Sequence, residues 1–477
     1  MPQSPAVAVE TNREIDEVDA LIARARRAQA RFETGADQRR YDMAAAAAAW
    51  ALMEPARNRS LAALAVETTG LGNVDDKISK NHRKTLGLLR DLKTARTCGV
   101  IDERPERGLT EIARPIGVIG AVVPSTNPVA TPVNNIVNAL KCGNAIILSP
   151  SPRGVVVAER LLAAIHAEFD RIGVDRDLVQ MIPAPSSKVR TQRLMECADL
   201  VIVTGSQDNV RRAYASGTPA IGVGAGNATV IVDETADLTA DAQKIAASKT
   251  FDNATSCSSE NALIVVDDVY DRFAAALAEA GGRILDAGNA DTLKDALFQS
   301  GHLNRHMIAR DIDTVIDTAG LALADRDGAR FLALPAEAIG PDAPESGEKL
   351  SLVLALYRAP DFSAAKKLAA RILAHQGAGH SVGLHSADDS RARELGQELP
   401  TCRVIVNQAH CFATGGSFEN GMPFSLSMGC GSWGGNSIDD NLHYRHFMNV
   451  TRIVRPIPVD EPRLEDVFAE YWAAAGT

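Results

Sequence analysis

From Pro115 to Gln408, short Val- and Ile-rich runs alternate with amphipathic helical stretches, and this alternation restricts the fold more than any other feature. GVIGAVVP, NAIILSP, LVQMIP and LVIVTGS read as strands, and TPVNNIVNALKCG, RGVVVAERLLAAIHAEF and QDNVRRAYASG as helices between or after them. Strands that are apolar at nearly every position are buried on both faces, which indicates a doubly wound parallel sheet. Such sheets bind ligands beyond the carboxyl ends of their strands. Three loops fall there: PSTNP with Pro124, Ser125 and Asn127, SPSPR with Ser149, Pro150 and Arg153, and TGS with Thr204, Gly205 and Ser206.

A second alternating series begins near residue 237, with helix ADAQKIAASKTF, strand NALIVV and helix DVYDRFAAALAEAG. It continues through LSLVLALYRA, SAAKKLAARILAHQ, HSVGLHS and CRVIVNQ. At 477 residues the chain is long enough for two or three cores, and two α/β units leave a crevice in which a cofactor and a substrate can meet. Residues 12–95 have helical periodicity, with a stop at Gly70, and residues 98–115 read as a hairpin around a charged turn.

The net charge of −10 leaves no basic surplus for nucleic acid or an anionic membrane. MAAAAAAWALM, the longest uncharged apolar run, is too short to span a bilayer, and the first residues lack the pattern of a secretory leader. Seven dispersed cysteines without a CxxC pair suit a reducing cytoplasm and give no zinc site; ten scattered histidines imply no metal.

Against this background FDNATSCSSE stands out, because Cys257 lies in a polar loop between a helix and a strand rather than among apolar neighbours. Two readings are open: an incidental loop cysteine, or a nucleophile kept reachable. Other stretches are equally two-sided. Ser206 of TGSQDN either caps a helix or helps its N–H groups face an anion. Asn127 is either a turn residue or an oxyanion donor, and His380 of GAGH either structural or catalytic. GVGAG, with Gly222 and Gly224, is a poor dinucleotide fingerprint because a strand follows it; a close backbone approach is the other reading. The glycine-dense GCGSWGGNS wraps closely around a ligand or another chain segment.

Together, FDNATSCSSE, IGVGAGN, VPSTNP, SPSPR, EKLS, GAGH and MGCGSWGGNS resemble the CoA-acylating branch of the aldehyde dehydrogenase superfamily, from about residue 12 to about residue 455. The resemblance implies a Rossmann-type dinucleotide-binding domain (1–97 and 115–236), a catalytic domain (237–428) and oligomerisation elements (98–114 and 440–458). It implies Cys257 as nucleophile, Asn127 with the Cys257 N–H as oxyanion donors, and His380 as an aid to thiol deprotonation or thioester positioning. Glu348 of EKLS is implied at the nicotinamide ribose, with Pro124, Ser125, Ser149, Pro150, Thr204, Gly205, Ser206, Gly222 and Gly224 around the cofactor. Hydrolytic relatives carry a glutamate base in an ELGG-like segment; the matching residues here, Gly222 and Val223, cannot accept a proton. CoA then replaces water as the second nucleophile. Arg153 stands where a 2′-phosphate would lie, so the expected cofactor is NADP or NAD.

The tail NLHYRHFMNVTRIVRP looks most like that of acylating dehydrogenases for sulfoacetaldehyde, and places His443 and Arg445 as candidate contacts to an anionic aldehyde. Succinate semialdehyde, acetaldehyde and propionaldehyde are the alternative substrates. A cofactor-free cysteine acyltransferase or hydrolase using Cys257 and His380, and a catalytically silent scaffold, are the alternative classes. The expected partners are a small aldehyde, CoA and a second copy of the chain in a cytoplasmic homodimer or homotetramer.

Overall fold

The computed structural model describes residues 5–299 and 301–476. Four helices open the chain: α1 (Pro5–Glu33), α2 (Gln38–Met53), α3 (Pro55–Thr69) and α4 (Val74–Leu92). Ala44, Ala45, Ala48 and Ala49 of α2 are buried, and their small side chains let α2 lie close against the helices Ala130–Lys141 and Val155–Ile172. α3 stops at Gly70, whose φ of 69° is the left-handed conformation that ends a helix at no steric cost.

The first sheet has five parallel strands in the order Val179–Met181, Ala145–Pro150, Val118–Val123, Leu200–Val203, Ala220–Gly222. Every residue of Val118–Val123 and Ala145–Pro150 is buried, which is why these strands read as continuous apolar runs. Chain direction across the sheet reverses between Val118–Val123 and Leu200–Val203, so the PSTNP and TGS loops flank the switch point.

The second sheet has seven parallel strands in the order Gly282–Ile284, Phe331–Pro335, Val353–Ala359, Glu260–Val266, Ala228–Val232, Val382–His385, Val404–Val406. One boundary therefore differs from the sequence reading. Ala228–Val232 was expected in the first unit, which was taken to run to 236, but it pairs with Glu260–Val266 and Val382–His385 in the second sheet. The loop 223–227 is thus the crossing between sheets. A run such as ATVIV has the same burial pattern in either sheet, and only its partners reveal which one it joins.

A small antiparallel sheet joins Gly99–Arg104, Leu109–Pro115 and Met448–Val454, so the hairpin and the distant tail are one element. Among the described residues no helix is long and apolar enough to cross a membrane.

Candidate active site

A cavity of about 740 Å³ lies between the carboxyl ends of the first sheet and the amino ends of strands in the second. Cys257, Glu348 and His380 each precede a second-sheet strand, whereas Asn127 and Ser206 follow first-sheet strands and Ser149 stands near the carboxyl end of one. Loops from the two sheets thereby meet around Cys257.

The turn that presents Cys257 is strained. Asp252, Asn253 and Ala254 have φ of 50°, 52° and 59°, three consecutive non-glycine residues in the left-handed region. Asp252 is what holds them. Its fully buried carboxylate accepts from Lys77 Nζ at 3.0 Å and Lys80 Nζ at 2.5 Å, and its other oxygen accepts from the Asn73 N–H. Burial pushes the Asp252 carboxyl up, but the two ammonium groups hold it below its ordinary value overall.

Lys80 Nζ also donates to Asn127 Oδ1 at 2.9 Å and to Thr255 Oγ1 at 2.8 Å. An ammonium group only donates, so the amide oxygen of Asn127 must face Lys80, and the Nδ2 donor is left to point elsewhere. Asn127 and Cys257 both line the cavity.

Behind Cys257 runs a buried relay. His380 Nε2 lies 3.2 Å from Cys257 Sγ, His380 Nδ1 2.7 Å from Ser381 Oγ, and Ser381 Oγ 2.8 Å from His410 Nε2. Burial pushes the Cys257 thiol up to about 12, and the neighbouring Glu348 adds to the shift. Burial holds both imidazoles down to about 3, so each is neutral. A thiol S–H then donates to His380 Nε2, whose Nδ1–H donates to Ser381, whose hydroxyl donates to His410. Ser381 and His410 were not anticipated, since neither belongs to a recognisable motif.

The glycine loop resolves in favour of close approach. A Cβ at Gly226 would lie 2.3 Å from the Cys257 carbonyl oxygen and 2.5 Å from its Cβ, and one at Gly224 would lie 2.7 Å from Cys430 Sγ. Gly222, expected at the cofactor, does not line the cavity; it packs against Val210 and Tyr214, where a Cβ would not fit. The GCGSWGGNS loop wraps chain rather than ligand: Gly429 is pressed against Ile438, and Gly379 against the Cys430 carbonyl.

Pro124, Ser125, Ser149, Pro150, Thr204, Gly205, Ser206, Gly224 and Glu348 all line the cavity. Thr204 Oγ1 is 2.5 Å from Ser427 Oγ and so ties the first sheet to the 425–428 wall. Ser206 caps Gln207–Tyr214, and the free N–H groups of that first turn suit a pyrophosphate. Ser151 lines the cavity, and among the described residues its buried hydroxyl has no partner. Glu348 is half-buried, and burial raises its carboxyl to about 8. These groups fit a dinucleotide.

Three expected contacts lie elsewhere. Arg153 is exposed and directed to the Thr69 carbonyl, drawn by the open carbonyls at the end of α3. His443 pairs with Asp440 at 2.9 Å and caps the turn Tyr444–Phe447, while Arg445 is exposed against the Tyr444 hydroxyl. None of the three lines the cavity: Arg153 is directed to the end of α3, and contacts within the tail hold His443 and Arg445. Asp440, His443 and His446 bring candidate ligand atoms within 4.8 Å of one another, a convergence hidden by the scatter of histidines along the chain.

Residues 4–319 match the aldehyde dehydrogenase family. The chain is 55% identical over 476 residues to the acylating sulfoacetaldehyde dehydrogenase of Cupriavidus necator, covering 100% of this chain and 95% of that one. It is 38% identical to the acylating sulfoacetaldehyde dehydrogenase of Bilophila wadsworthia, covering 95% and 98% respectively. The crystal structure of an acetylating aldehyde dehydrogenase from Geobacillus thermoglucosidasius superposes with a TM-score of 0.90 at 31% identity, over 95% of this chain and 99% of that one. With its two parallel sheets and its cysteine loop between them, the chain belongs to the aldehyde dehydrogenase family.

Proposed function

We propose that the chain oxidises sulfoacetaldehyde, with NAD(P)⁺ and CoA, to the corresponding acyl-CoA, and that Cys257 carries the acyl group between the two half-reactions. The observation that carries this reading is the Cys257 site itself: a thiol on the cavity wall, an imidazole behind it, an oriented amide beside it and a glycine loop against it. The full-length likeness to acylating sulfoacetaldehyde dehydrogenases supports the substrate.

In the first half-reaction Cys257 passes its proton to His380 Nε2 as Sγ attacks the aldehyde carbon. The Asn127 Nδ2–H and the Cys257 N–H hold the developing oxyanion; one such donor is often worth about 3 kcal/mol. Bound NAD(P)⁺ supplies the hydride acceptor that converts the adduct to a Cys257 thioester. In the second half-reaction CoA releases its thiol proton to solvent and attacks the thioester carbonyl as thiolate, the same donors hold the oxyanion, and Cys257 leaves as thiolate and regains the proton held by His380. The sum is aldehyde, CoA and NAD(P)⁺ giving acyl-CoA, NAD(P)H and a proton. The 222–226 loop against Cys257 has no carboxylate to activate water, so a thiol has the advantage as second nucleophile.

Lys188 and Arg212 line the nucleotide end of the cavity and support NADP⁺ over NAD⁺, in place of Arg153. The tail sheet supports self-association into a dimer or tetramer, since Ile453, Val454 and Ile457 are exposed apolar residues at its rim. The test follows nicotinamide reduction with sulfoacetaldehyde, with and without CoA, using both nucleotides. CoA-dependent reduction is expected. Equal rates without CoA would refute acyl transfer, and turnover of propionaldehyde alone would refute the substrate.

A further inference from the structure

α4 carries Lys77, Lys80, Arg83 and Lys84, and the last three line the cavity. The first two share Asp252. Arg83 and Lys84 are different: among the described residues neither forms an ion pair with a carboxylate. Arg83 donates to the Phe412 carbonyl at 2.7 Å and more weakly to the Gly416 carbonyl, and its guanidinium stacks over the Phe412 ring. Among the described residues its other nitrogens have no hydrogen-bond acceptor. Lys84 is 7% exposed, donates to the Gly415 carbonyl at 2.5 Å and faces the Phe424 ring at 5.6 Å, and among the described residues no oxygen accepts its other two ammonium protons.

The space is shaped for Lys84. A Cβ at position 415 would lie 2.6 Å from its Nζ, and one at Gly87 would enter the Phe424 ring, so both neighbours are glycines. Burial and the adjacent Arg83 and Lys80 push the Lys84 ammonium down to about 7, with Cys411 and Cys257 acting the other way; burial also lowers Arg83, against Cys411 and Glu419. Thr131, 1% exposed in the first turn of the helix Ala130–Lys141, also lines the cavity, and its buried hydroxyl has no partner among the described residues. Burying cations without a counter-ion is costly, and a site that does so awaits an anion. The strand ends that suit the nucleotide, 149–152 and 204–209, come from the first sheet, whereas Arg83 and Lys84 are fixed by the 412–416 loop.

We infer that Arg83, Lys84 and Thr131 form the subsite for the anionic head of the aldehyde, a sulfonate whose three oxygens accept from the guanidinium, the ammonium and the hydroxyl. This rests on the reading of the substrate as an anionic aldehyde, and it moves the charge recognition from His443 and Arg445 to the face of α4.

The experiment compares full-length wild type with Lys84→Met and Arg83→Met, each assayed with CoA and nucleotide against sulfoacetaldehyde and against propionaldehyde. The ratio of kcat/KM for the anionic over the neutral aldehyde is expected to fall roughly 100-fold in each variant, through KM for the sulfonate. An unchanged ratio overturns the subsite, as does a rise confined to KM for CoA, which would assign the cations to CoA phosphates. Lys84→Arg, which keeps the charge, is expected to retain most of the preference, and Arg83→Met carries the test alone if Lys84→Met does not fold. A second readout needs no turnover: ethanesulfonate is expected to slow iodoacetamide alkylation of Cys257 in wild type and not in the variants. If sulfoacetaldehyde is not oxidised but this protection is seen, the subsite stands and the substrate falls; absent protection overturns the subsite.

Discussion

Replacing Lys80 by Met removes one cation that serves two masters, and the two losses are separable. The first is structural. Asp252 is fully buried and would keep Lys77 at 3.0 Å and the Asn73 N–H, but lose its 2.5 Å partner. Breaking a buried pair from one side costs roughly 3–5 kcal/mol when nothing else compensates. With Lys77 remaining, about 2 kcal/mol of destabilisation is expected. The second loss is catalytic. Without the ammonium at 2.9 Å, nothing fixes the Asn127 amide with its oxygen turned away from the substrate. The donor is then misdirected for part of the time, and up to about 3 kcal/mol of oxyanion stabilisation is lost, roughly 100-fold in kcat. The assay is a double-mutant cycle on kcat at saturating aldehyde and CoA, with thermal unfolding of each protein recorded in parallel. If Lys80 acts through Asn127, Lys80→Met slows wild type about 100-fold but slows Asn127→Ala hardly at all. Equal factors in both backgrounds would refute the positioning argument and leave Lys80 as a support for Asp252 alone.

Gly226→Ala places a methyl group 2.3 Å from the Cys257 carbonyl oxygen, against backbone that cannot simply rotate away. A displacement of about 1 Å at the nucleophile is expected to lower kcat about 100-fold, and iodoacetamide alkylation at an unchanged rate would contradict it. His380→Ala tests the relay by pH. The Cys257 thiol, pushed up to about 12, is mostly protonated at neutrality, and neutral His380 accepts its proton anywhere above about 3. Wild-type kcat/KM is therefore expected to be nearly flat from pH 7 to 9, while in His380→Ala it climbs about tenfold per pH unit as bulk hydroxide takes over. A flat profile in the variant would remove His380 from the proton path.

What the sequence revealed and what it concealed divide along a physical line. Buried parallel strands announce themselves because every position must be apolar, as in Val118–Val123, and loops at their carboxyl ends follow from the topology. Cys257 was visible because a thiol in a polar loop is out of place. What could not be read was which strand a run such as ATVIV pairs with, or which groups converge from distant segments. Ser381 and His410 are 29 residues apart and ordinary in their surroundings; only their hydrogen bond makes them a relay. The tail cluster misled for the same reason, since charge along a stretch of chain does not say which way it faces, and Asp440 and Tyr444 had already claimed the side chains of His443 and Arg445. Yet one signal was present and passed over. In KNHRK, Lys80, Arg83 and Lys84 stand at i, i+3 and i+4, one face of a helix, and Gly87 continues that face one turn further. On a solvated helix such a face would be expected to hold carboxylates at neighbouring turns; its next residues are Gly87 and Leu88, both buried. Cations aligned with residues bound for the core have to meet a counter-ion there, and where, among the described residues, only Asp252 forms an ion pair with this face, the remaining charge is balanced by what the cavity is built to admit.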